Sequence, residues 1–532
     1  MTPRRQTLVL FLLALAVLLP GIWEATGLTG KDEFYLGLRT PMEMMEGDHW
    51  LVPFLDGAPR IRKPPLLYWL GRLDFELFGP SLVAARSLAV GFAALLVVAT
   101  AGIARRLTRD DRTGLIAGLV LLGCLGLHTE GRRFMLDVPV AALSAAAFWS
   151  LLNWLDRQRW PWLTLAALLL AAGFLVKGPV VFLVCGGGGL ALLASGRLSP
   201  AALRPRLPAL IANAALCLAL ALPWFLLVRL LYPEAAQQVF ADEVESRRFL
   251  ELTPTIILGL LNIALPWVFV FLAAAAARWR QPQLPRLLLA WFFATFLPFL
   301  FIRSFDRYLV GSLVPLAIFI AWALPDCRHR WPFRLGLAIA LLVGGTLAAF
   351  AFWFALGGWY WLPLPALYLA WAWWQERPLG HIAAAPALFW IALLWGVFPA
   401  LGINAVPAEV AALGRTRTIA LYDGPQPALL PILSGRAQRH YAAIDSHDAA
   451  ELHALDALVF AEDAAVPRLQ EQLGAAGYSL RPVGSYSTLA SHGSGLRFAR
   501  LGATGQDWRD ALRSRSLAPL LTTVRWFEVQ AP

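Results

Sequence analysis

The chain has 532 residues, of which 58% are hydrophobic and only 15% are charged, and its formal net charge is +11. Soluble domains are usually about 25% charged, so this composition excludes an ordinary soluble protein and indicates a polytopic α-helical membrane protein. The positive charge does not indicate nucleic-acid binding, because in membrane proteins basic residues are concentrated in the cytoplasmic loops.

The first predicted element is an apolar stretch from Leu8 to Trp23, which follows Arg4 and Arg5. This order is typical of a signal peptide, but no convincing small-residue cleavage site follows it. We therefore predict a retained first span, with the N-terminus in the cytoplasm because of its arginines.

A long loop at residues 26–81 follows, and it is too long to be a simple connector. Its stretches 37–46 and 65–78 can each form a helix with an apolar face, so we expect them to lie in the membrane interface. Asp32 and Glu33 stand near the beginning of the loop. The pair is a candidate for catalysis, and a solvated loop pair or a helix cap is the alternative.

Three cations of this loop, Arg60, Arg62 and Lys63, stand directly before Pro64 and Pro65. A residue before proline avoids the helical region, and proline suits the first turn of a helix. We therefore predict that a helix begins near the prolines and that Lys63 lies at its N-terminus, where the helix dipole favours anions. The cluster is predicted to bind a phosphate group, and binding of anionic lipid headgroups is the alternative for the two arginines.

About thirteen apolar stretches are predicted to span the membrane. Five short loops between them are rich in arginine, which places that side in the cytoplasm. These loops are 105–112, 156–160, 195–207, 278–286 and 327–334. The first loop and the C-terminus are then extracytoplasmic. The predicted spans are 7–25, 82–104, 113–128, 135–155, 162–176, 179–195, 208–232, 254–277, 287–302, 307–324, 335–357, 359–375 and 382–403.

Only three of the 45 basic residues are lysines, namely Lys31, Lys63 and Lys177, and all three fall on the predicted extracytoplasmic side. Lysine offers a compact point charge to a phosphate, where arginine offers a planar fork. Lys177 is therefore a second candidate phosphate ligand, with snorkelling at a span end as the alternative. Arg247 and Arg248 are further candidates, with surface ion pairs as their alternative.

Residues 404–532 are not apolar enough to enter the membrane and are predicted to form a small extracytoplasmic α/β domain. The stretch 467–477 is predicted to be a helix that ends in a glycine cap. The four cysteines of the whole chain share no metal or redox spacing, so no disulfide framework is expected. The predicted strands of this domain are 417–423, 456–463, 478–489 and 495–501.

Residues 31–70, KDEFYLGLRTPMEMMEGDHWLVPFLDGAPRIRKPPLLYWL, resemble the first periplasmic loop of the aminoarabinose-transferase-like family of GT-C glycosyltransferases, which is related to the protein O-mannosyltransferases. RFMLDVPVA at 133–141, KGP at 177–179 and SFDRYLVGSLVP at 304–315 also agree. The resemblance implies a GT-C transmembrane domain at 1–403, including the first loop, and a periplasmic domain at 404–532.

The resemblance also implies a function, namely transfer of a sugar from a polyprenyl (undecaprenyl) phosphate at the periplasmic face of a bacterial inner membrane. The implied acceptor is lipid A or lipopolysaccharide, another glycan, or a protein. Asp32 and Asp137 match the acids of the family's first and second periplasmic loops. Lys63 matches the lysine that contacts the carrier phosphate.

Some positions depart from the family pattern. Arg62 stands where the lipid A aminoarabinose transferases typically have a glutamate that contacts a metal, and Phe34 and Tyr35 follow the acid pair where arginine and tyrosine are expected. The donor, aminoarabinose or another hexose or pentose, therefore stays open. So does a divalent metal ion between Asp32 and Asp137, and no other cofactor is expected.

Two other classes of function compete with an enzyme. A transporter or flippase of a lipid-linked sugar usually carries ionisable groups at mid-membrane, whereas these spans are nearly free of them. A receptor-like protein that acts through its C-terminal domain would leave the first loop unexplained. The sequence therefore predicts a glycosyltransferase whose partners are a lipid-linked donor, its acceptor and the surrounding membrane lipids.

Overall fold

The computed structural model describes residues 2–24, 32–247, 251–327, 329–374, 378–423, 429–489 and 498–531. The helices of the first half are α1 (Pro3–Leu18), α2 (Arg39–Glu46), α3 (Leu66–Phe78), α4 (Leu82–Thr108), α5 (Asp111–Leu122), α6 (Leu125–Glu130), α7 (Asp137–Arg157), α8 (Trp160–Lys177), α9 (Phe182–Ala194), α10 (Pro200–Leu203), α11 (Leu207–Leu231) and α12 (Pro233–Arg247).

The later α-helices are α13 (Thr255–Ile263), α14 (Val268–Arg278), α15 (Leu284–Phe296), α16 (Leu313–Ala323), α17 (Trp331–Trp353), α18 (Pro363–Trp374), α19 (Leu379–Ile391), α20 (Phe398–Ala400), α21 (Ala408–Thr416), α22 (Leu430–Ser434), α23 (Ser446–Ala454), α24 (Val466–Ala475) and α25 (Gly505–Ser514). The strands are β1 (Phe54–Leu55), β2 (Ala58–Pro59), β3 (Ile419–Tyr422), β4 (His440–Tyr441), β5 (Leu458–Glu462), β6 (Ser479–Thr488) and β7 (Thr522–Gln530).

Seven helical segments of the described chain are long and apolar enough to cross a membrane, or eight if α13 and α14 form one broken span. The chain is therefore a multi-pass membrane protein. Each of the thirteen predicted spans overlaps at least one helix, but the number thirteen stays a prediction. The seven segments are Leu82–Thr108, Asp137–Arg157, Trp160–Ala194, Pro200–Leu231, Asp306–Asp326, Trp331–Trp353 and Leu379–Ala400.

The span predicted at 254–277 is not one straight helix in the structure. In its place α13 and α14 meet at an angle of 107° across a short break. Pro266 lies in this break and has no backbone N–H with which to continue the helix. The two halves are each apolar, and this is why the sequence pattern alone did not show the bend.

Helix α4 lies at the centre of the helical part, where it packs against α1, α5 and α7. Helix α7 in turn packs against α8 and α9. Gly102 of α4 permits the close contact with α7, because a Cβ atom at this position would lie within 2.3 Å of the Trp149 ring. Helix α7 begins with Asp137 and ends with Arg157, so it carries a charged residue at each end.

The C-terminal residues form a five-stranded sheet in the order β4-β3-β5-β7-β6. Strand β3 is parallel to β4 and β5, whereas β7 is antiparallel to β5 and β6. Alternate residues of β3 and β5 are buried on opposite faces of the sheet, one against α23 and α24 and the other against α21 and α22. The expectation of an α/β C-terminal region is therefore confirmed.

The individual predictions for this region had mixed outcomes. The helix predicted at 467–477 is α24, and Gly477 follows it with a φ of +84°, which glycine tolerates without strain. The predicted strand 495–501 is wrong where it can be tested, because residues 498–501 form bends and turns and the others lie outside the described residues. Strands β4 and β7 were not predicted.

The first loop folds against the edge strand β4 of this sheet and the residues that precede it. Its segment Glu33–Leu38 is a π-helix that continues into α2, and α3 follows the two prolines as predicted. Between α2 and α3, β1 and β2 form a short hairpin whose turn is Asp56-Gly57. Both turn residues have positive φ, +55° and +75°, as the type I′ turns of tight hairpins require.

Four residues join this hairpin to the sheet, and we call their contact the loop–sheet clamp: Arg39, Asp56, Gln438 and His440. The Arg39 guanidinium is buried, pairs with the Asp56 carboxylate and donates to the Gln438 carbonyl oxygen at 2.7 Å. The same Asp56 Oδ1 accepts the backbone N–H of His440 at 2.9 Å. One carboxylate thus links a buried cation of the first loop to strand β4.

Replacing Asp56 by alanine should therefore release β4 from the loop. The change leaves the buried Arg39 charge without its carboxylate, and a hydrogen bond to a charged group contributes about 1.5–3 kcal/mol. We expect amide hydrogen exchange in the peptide that contains His440 and Tyr441 to accelerate at least about tenfold. Asp48→Ala is the matched control, because Asp48 is exposed in the same loop and pairs with Arg72 instead. Equal exchange in both variants would show that the clamp does not hold β4.

Candidate active site at the membrane surface

The two acids predicted for catalysis in the first loop point in different directions. Asp32 precedes the π-helical segment and lines a cavity, with its side chain 37% exposed. Glu33 is fully buried, and its two carboxylate oxygens accept from Arg86 Nε and Nη2, each at 2.9 Å. The Phe134 N–H also donates to Glu33, at 3.0 Å. Glu33 therefore fastens the loop to α4 and does not face the cavity.

Three segments that are distant in the chain bring an ion network to the cavity wall. Asp137 is the first residue of α7, Lys177 is the last residue of α8, and Arg307 lies in the 3₁₀-helix Asp306–Ser312. Lys177 pairs with Asp137 Oδ1, and Arg307 Nε faces Asp137 Oδ2 at 3.5 Å. Arg307 Nη2 also donates to Asp32 Oδ2 at 2.6 Å. One arginine thus connects the two acids that the sequence singled out.

Aromatic rings hold the cations of this network in place. The Lys177 ammonium lies 3.9 Å from the centre of the Tyr308 ring, a cation–π contact that favours a charge in a partly dry site. The Arg60 guanidinium donates to the Tyr68 hydroxyl oxygen at 3.3 Å. Tyr68 belongs to the first turn of α3, the helix that begins after the two prolines. This helix therefore positions the Arg60 guanidinium.

Lys63 lies on the same cavity, so four cations and two carboxylates face one space, which we call the cationic cavity. Its volume is about 80 Å³, whereas pockets that bury a whole drug-sized ligand measure about 300–1,000 Å³. The space suits a small anionic group, and the excess of cations favours such a group electrostatically. Its charged lining residues are Asp32, Arg60, Lys63, Asp137, Lys177 and Arg307.

Three of the predicted phosphate ligands are not seen on this cavity. Arg62 is exposed and does not line it. Arg247 ends α12, but its side chain and the whole of Arg248 lie outside the described residues. Those two residues therefore keep the status of sequence predictions.

Sequence reasoning missed Arg307, Tyr308 and Glu130. The first two belong to the SFDRYL stretch. A sequence signal for Arg307 did exist, because arginines are rare in the short loops on the predicted extracytoplasmic side. Glu130 is buried beside this network and pairs with Arg133 at 3.1 Å. Burial raises the pKa of the Glu130 carboxyl, although the Arg133 charge acts against this shift. No sequence pattern marked Glu130.

The residues of the cationic cavity do not have the pattern of a metal site. Within the described ranges, no three His, Cys, Asp or Glu side chains are grouped so that they could hold a metal ion. The oxygens of Asp137 face Lys177 and Arg307, and Asp32 also faces Arg307. Cations thus take the places at which a metal would have to approach these acids.

The chain is similar in sequence to several known proteins. The family model described as dolichyl-phosphate-mannose-protein mannosyltransferase matches residues 62–226. The undecaprenyl phosphate-alpha-4-amino-4-deoxy-L-arabinose arabinosyl transferase 1 of Sodalis glossinidius is 29% identical over 362 residues, which are 60% of this chain and 61% of that protein. The corresponding transferase of Pseudomonas aeruginosa PAO1 is 29% identical over 65% of this chain and 63% of its own length. The chain therefore matches less than two thirds of the length of these relatives.

The fold similarity extends further than the sequence similarity. The crystal structure of ArnT from Cupriavidus metallidurans bound to undecaprenyl phosphate superposes with a TM-score of 0.70 and covers 90% of this chain and 96% of its own, at 20% identity. The apo structure of the same protein gives the same TM-score and coverage, at 18% identity. These findings agree with the resemblance seen in the first-loop motifs, and they show that the chain has the fold of the Cupriavidus ArnT structure.

Proposed function

We propose that the chain is a membrane glycosyltransferase that moves a sugar from a polyprenyl phosphate, such as undecaprenyl phosphate, to an extracytoplasmic acceptor. The observation that carries the proposal is the cationic cavity, in which four cations surround two carboxylates at the end of the membrane helices. The names of the relatives, and the undecaprenyl phosphate bound to the Cupriavidus protein, support this choice of donor class.

The cations would act on the leaving group. When the bond between the anomeric carbon and the phosphate oxygen breaks, the phosphate keeps the electron pair and gains negative charge. Arg60, Lys63 and Lys177 can meet that charge, and fixed cations in a partly dry site stabilise it without reorganisation. Asp137 and Tyr308 hold the Lys177 ammonium in position for this role.

Asp32 is our candidate for the acceptor side of the reaction. The acceptor oxygen attacks the anomeric carbon and must lose its proton, and a positioned carboxylate can take that proton. Asp32 is the more accessible of the two cavity acids, with 37% exposure against 5% for Asp137. We propose that Arg307 orients Asp32, that Asp137 orients Lys177, and that Glu33 is structural.

We also propose the arrangement of the chain in the membrane. Residues 1–403 would form the transferase domain with its first loop at 26–81, and residues 404–532 an extracytoplasmic domain. The cationic cavity would face the periplasm of a bacterial inner membrane, with the N-terminus in the cytoplasm. Support comes from the arginine-rich short loops, which belong to the opposite side by the positive-inside rule.

The donor sugar and the acceptor are proposed only by class. Aminoarabinose or another hexose or pentose fits the donor role, and Arg62 at a position that is glutamate in the lipid A enzymes argues for testing several donors. The acceptor would be lipid A or lipopolysaccharide, another glycan, or a protein. The loop–sheet clamp brings the C-terminal sheet to the first loop, so this sheet is well situated to help orient an acceptor.

A transfer assay tests the proposal directly. Purified protein is supplied with a labelled panel of polyprenyl-phosphate sugars and with cell-envelope acceptors, and the labelled product is measured. We expect product from wild type and a loss of at least about a hundredfold in Asp32→Asn and Lys63→Ala. Asp326→Asn and Arg303→Ala are the matched controls, because both residues are exposed and neither lines the cavity.

The outcomes separate the classes of function. Full transfer by Asp32→Asn and Lys63→Ala would show that the reaction takes place elsewhere. Movement of the lipid between the leaflets by wild type, with no product from any donor, would establish the transporter in place of the enzyme.

A further inference from the structure

A second charged cavity lies at the other end of the helix bundle. It is a cleft of about 910 Å³ among α1, α4, α5, α7 and α8. Five arginine side chains are part of its lining, and we therefore call it the arginine cleft. Two aspartates, Asp111 and Asp156, also line it, so the excess of positive charge is three. The arginines are Arg4, Arg105, Arg106, Arg109 and Arg157.

The arginine cleft lies about one membrane thickness away from the cationic cavity. On α4, Arg86 anchors the first loop and Arg105 lines the cleft, and 19 helical residues correspond to about 28 Å. On α7, Asp137 and Arg157 are separated by about 30 Å on the same measure. The hydrocarbon core of a bilayer is about 30 Å thick. If the cavity is at one membrane surface, the cleft is at the headgroup level of the opposite leaflet.

Two of the arginines form a fixed wall of the cleft. Arg105 donates through Nη1 to the Pro3 carbonyl oxygen and through Nη2 to the Thr7 hydroxyl oxygen, both at 2.9 Å. Arg106 donates to Asp156 Oδ2 at 3.2 Å and also contacts Asn153. These bonds join α1, α4 and α7 at their ends, so this wall does not need a ligand to hold its shape.

The other three arginines are available to a ligand. Arg4, Arg109 and Arg157 are exposed, and across the described ranges none of them takes part in an ion pair. The Arg157 guanidinium lies 5.9 Å from the centre of the Trp162 ring, a loose contact that leaves its N–H groups free to turn. Three cations without carboxylate partners at one opening are typical of a site for an anion.

The cleft also has an apolar side. Trp149 lies flat against Gly102 of α4, and Trp162 stands near the start of α8. Tryptophan at the level of the headgroups packs against the upper part of lipid chains. A site that combines these rings with arginines is amphiphilic, which favours a lipid over a free anion such as inorganic phosphate.

We propose that the arginine cleft binds the phosphodiester headgroup of an anionic membrane phospholipid, in the leaflet opposite to the cationic cavity. The phosphate contacts Arg4, Arg109 and Arg157, and the acyl chains leave along Trp149 and Trp162. The volume of the cleft falls in the range of about 300–1,000 Å³ that is usual for ligand sites. Basic pockets between membrane helices are known to hold such headgroups.

The test compares two triple variants of the full chain, purified in a neutral detergent. R4Q/R109Q/R157Q removes the three available cations of the cleft. R112Q/R159Q/R204Q is the matched control, since these arginines are exposed and belong to the predicted loops on the same side but do not line the cleft. Both variants lose the same charge. Binding of tetraoleoyl cardiolipin, dioleoylphosphatidylglycerol and dioleoylphosphatidylcholine is measured by titration and native mass spectrometry.

We expect wild type and the control variant to bind the two anionic lipids and to discriminate against phosphatidylcholine. The cleft variant should lose about a hundredfold in affinity, since each arginine near an anionic headgroup contributes roughly fivefold. Thermal unfolding without lipid shows whether each variant is folded. If the triple variant is not, R109Q alone, with an expected loss of about fivefold, answers the question.

Two results would overturn the proposal. Equal affinity of the cleft and control variants for the anionic lipids would mean that the lipids bind by general surface charge. Competition by inorganic phosphate or glycerol phosphate as effective as that of the lipid would mean that the cleft is a site for free anions only. The sugar-transfer assay is independent of both readouts, so the lipid site and the proposed transferase activity can fail separately.

Discussion

Sugar transfer should fall at least about a hundredfold when Arg307 is replaced by alanine. Arg307 donates to Asp32 at 2.6 Å and faces Asp137 at 3.5 Å, so the change frees one acid and removes a cation from the cationic cavity. Loss of one preorganised electrostatic contact typically lowers kcat by about 10²–10³. We expect the loss mainly in kcat, because Arg60, Lys63 and Lys177 remain to bind the phosphate.

A conservative variant tests whether Arg307 acts by its geometry. Arg307→Lys keeps the charge but lacks the planar fork that reaches two carboxylates, so it should recover only part of the transfer. Arg303→Ala, an exposed arginine of the same turn, should behave as wild type. If the transfer rate of Arg307→Ala were within tenfold of the wild-type rate, Arg307 would have no important role in the reaction.

Replacing Glu33 by alanine should lower the free energy of unfolding by about 3 kcal/mol or more. The Glu33 side chain is fully buried and that of its partner Arg86 is 7% exposed. Removal of one member of a buried ion pair typically costs 3–5 kcal/mol, because the remaining charge is left without its partner. Two backbone carbonyl oxygens, of Ile22 and Glu24, also accept from Arg86 and reduce this cost. The measurement is thermal or denaturant unfolding in detergent.

The double variant Glu33→Ala/Arg86→Met separates stability from catalysis. It removes both charges, so we expect it to recover most of the lost stability and to keep transfer activity per folded molecule. A Glu33→Gln protein with the Tm of wild type but without transfer would contradict this expectation. It would restore the catalytic role that the acid pair suggested in the sequence.

The sequence was informative where chemistry is local. Lys63-Pro64-Pro65 predicted the start of α3, because the effect of proline on its neighbours needs no tertiary contact. Gly477 likewise predicted the end of α24. Lys63 and Lys177 could be selected because lysines are rare in this chain, whereas Asp137 was selected only through the family resemblance and Asp32 was supported by it.

The sequence was not informative where distant segments meet. Asp32 and Arg307 are 275 residues apart, and no local pattern shows that they touch. Glu33 is adjacent to Asp32 and has the same chemistry, yet its partner on α4 turns it away from the cavity. The bend of 107° between α13 and α14 was missed because hydropathy measures composition and not direction.

The loop–sheet clamp has a consequence for biosynthesis. Arg39 emerges from the ribosome near the beginning of translation, whereas its acceptor on Gln438 is made 399 residues later. At about 5–20 residues per second, the loop waits roughly 20–80 s for the sheet that covers it. During that time the folding of the first loop is incomplete, so a nascent chain that stalls before residue 438 would expose this loop to proteases and chaperones. The first loop can therefore complete its contacts only after the C-terminal region has been synthesised.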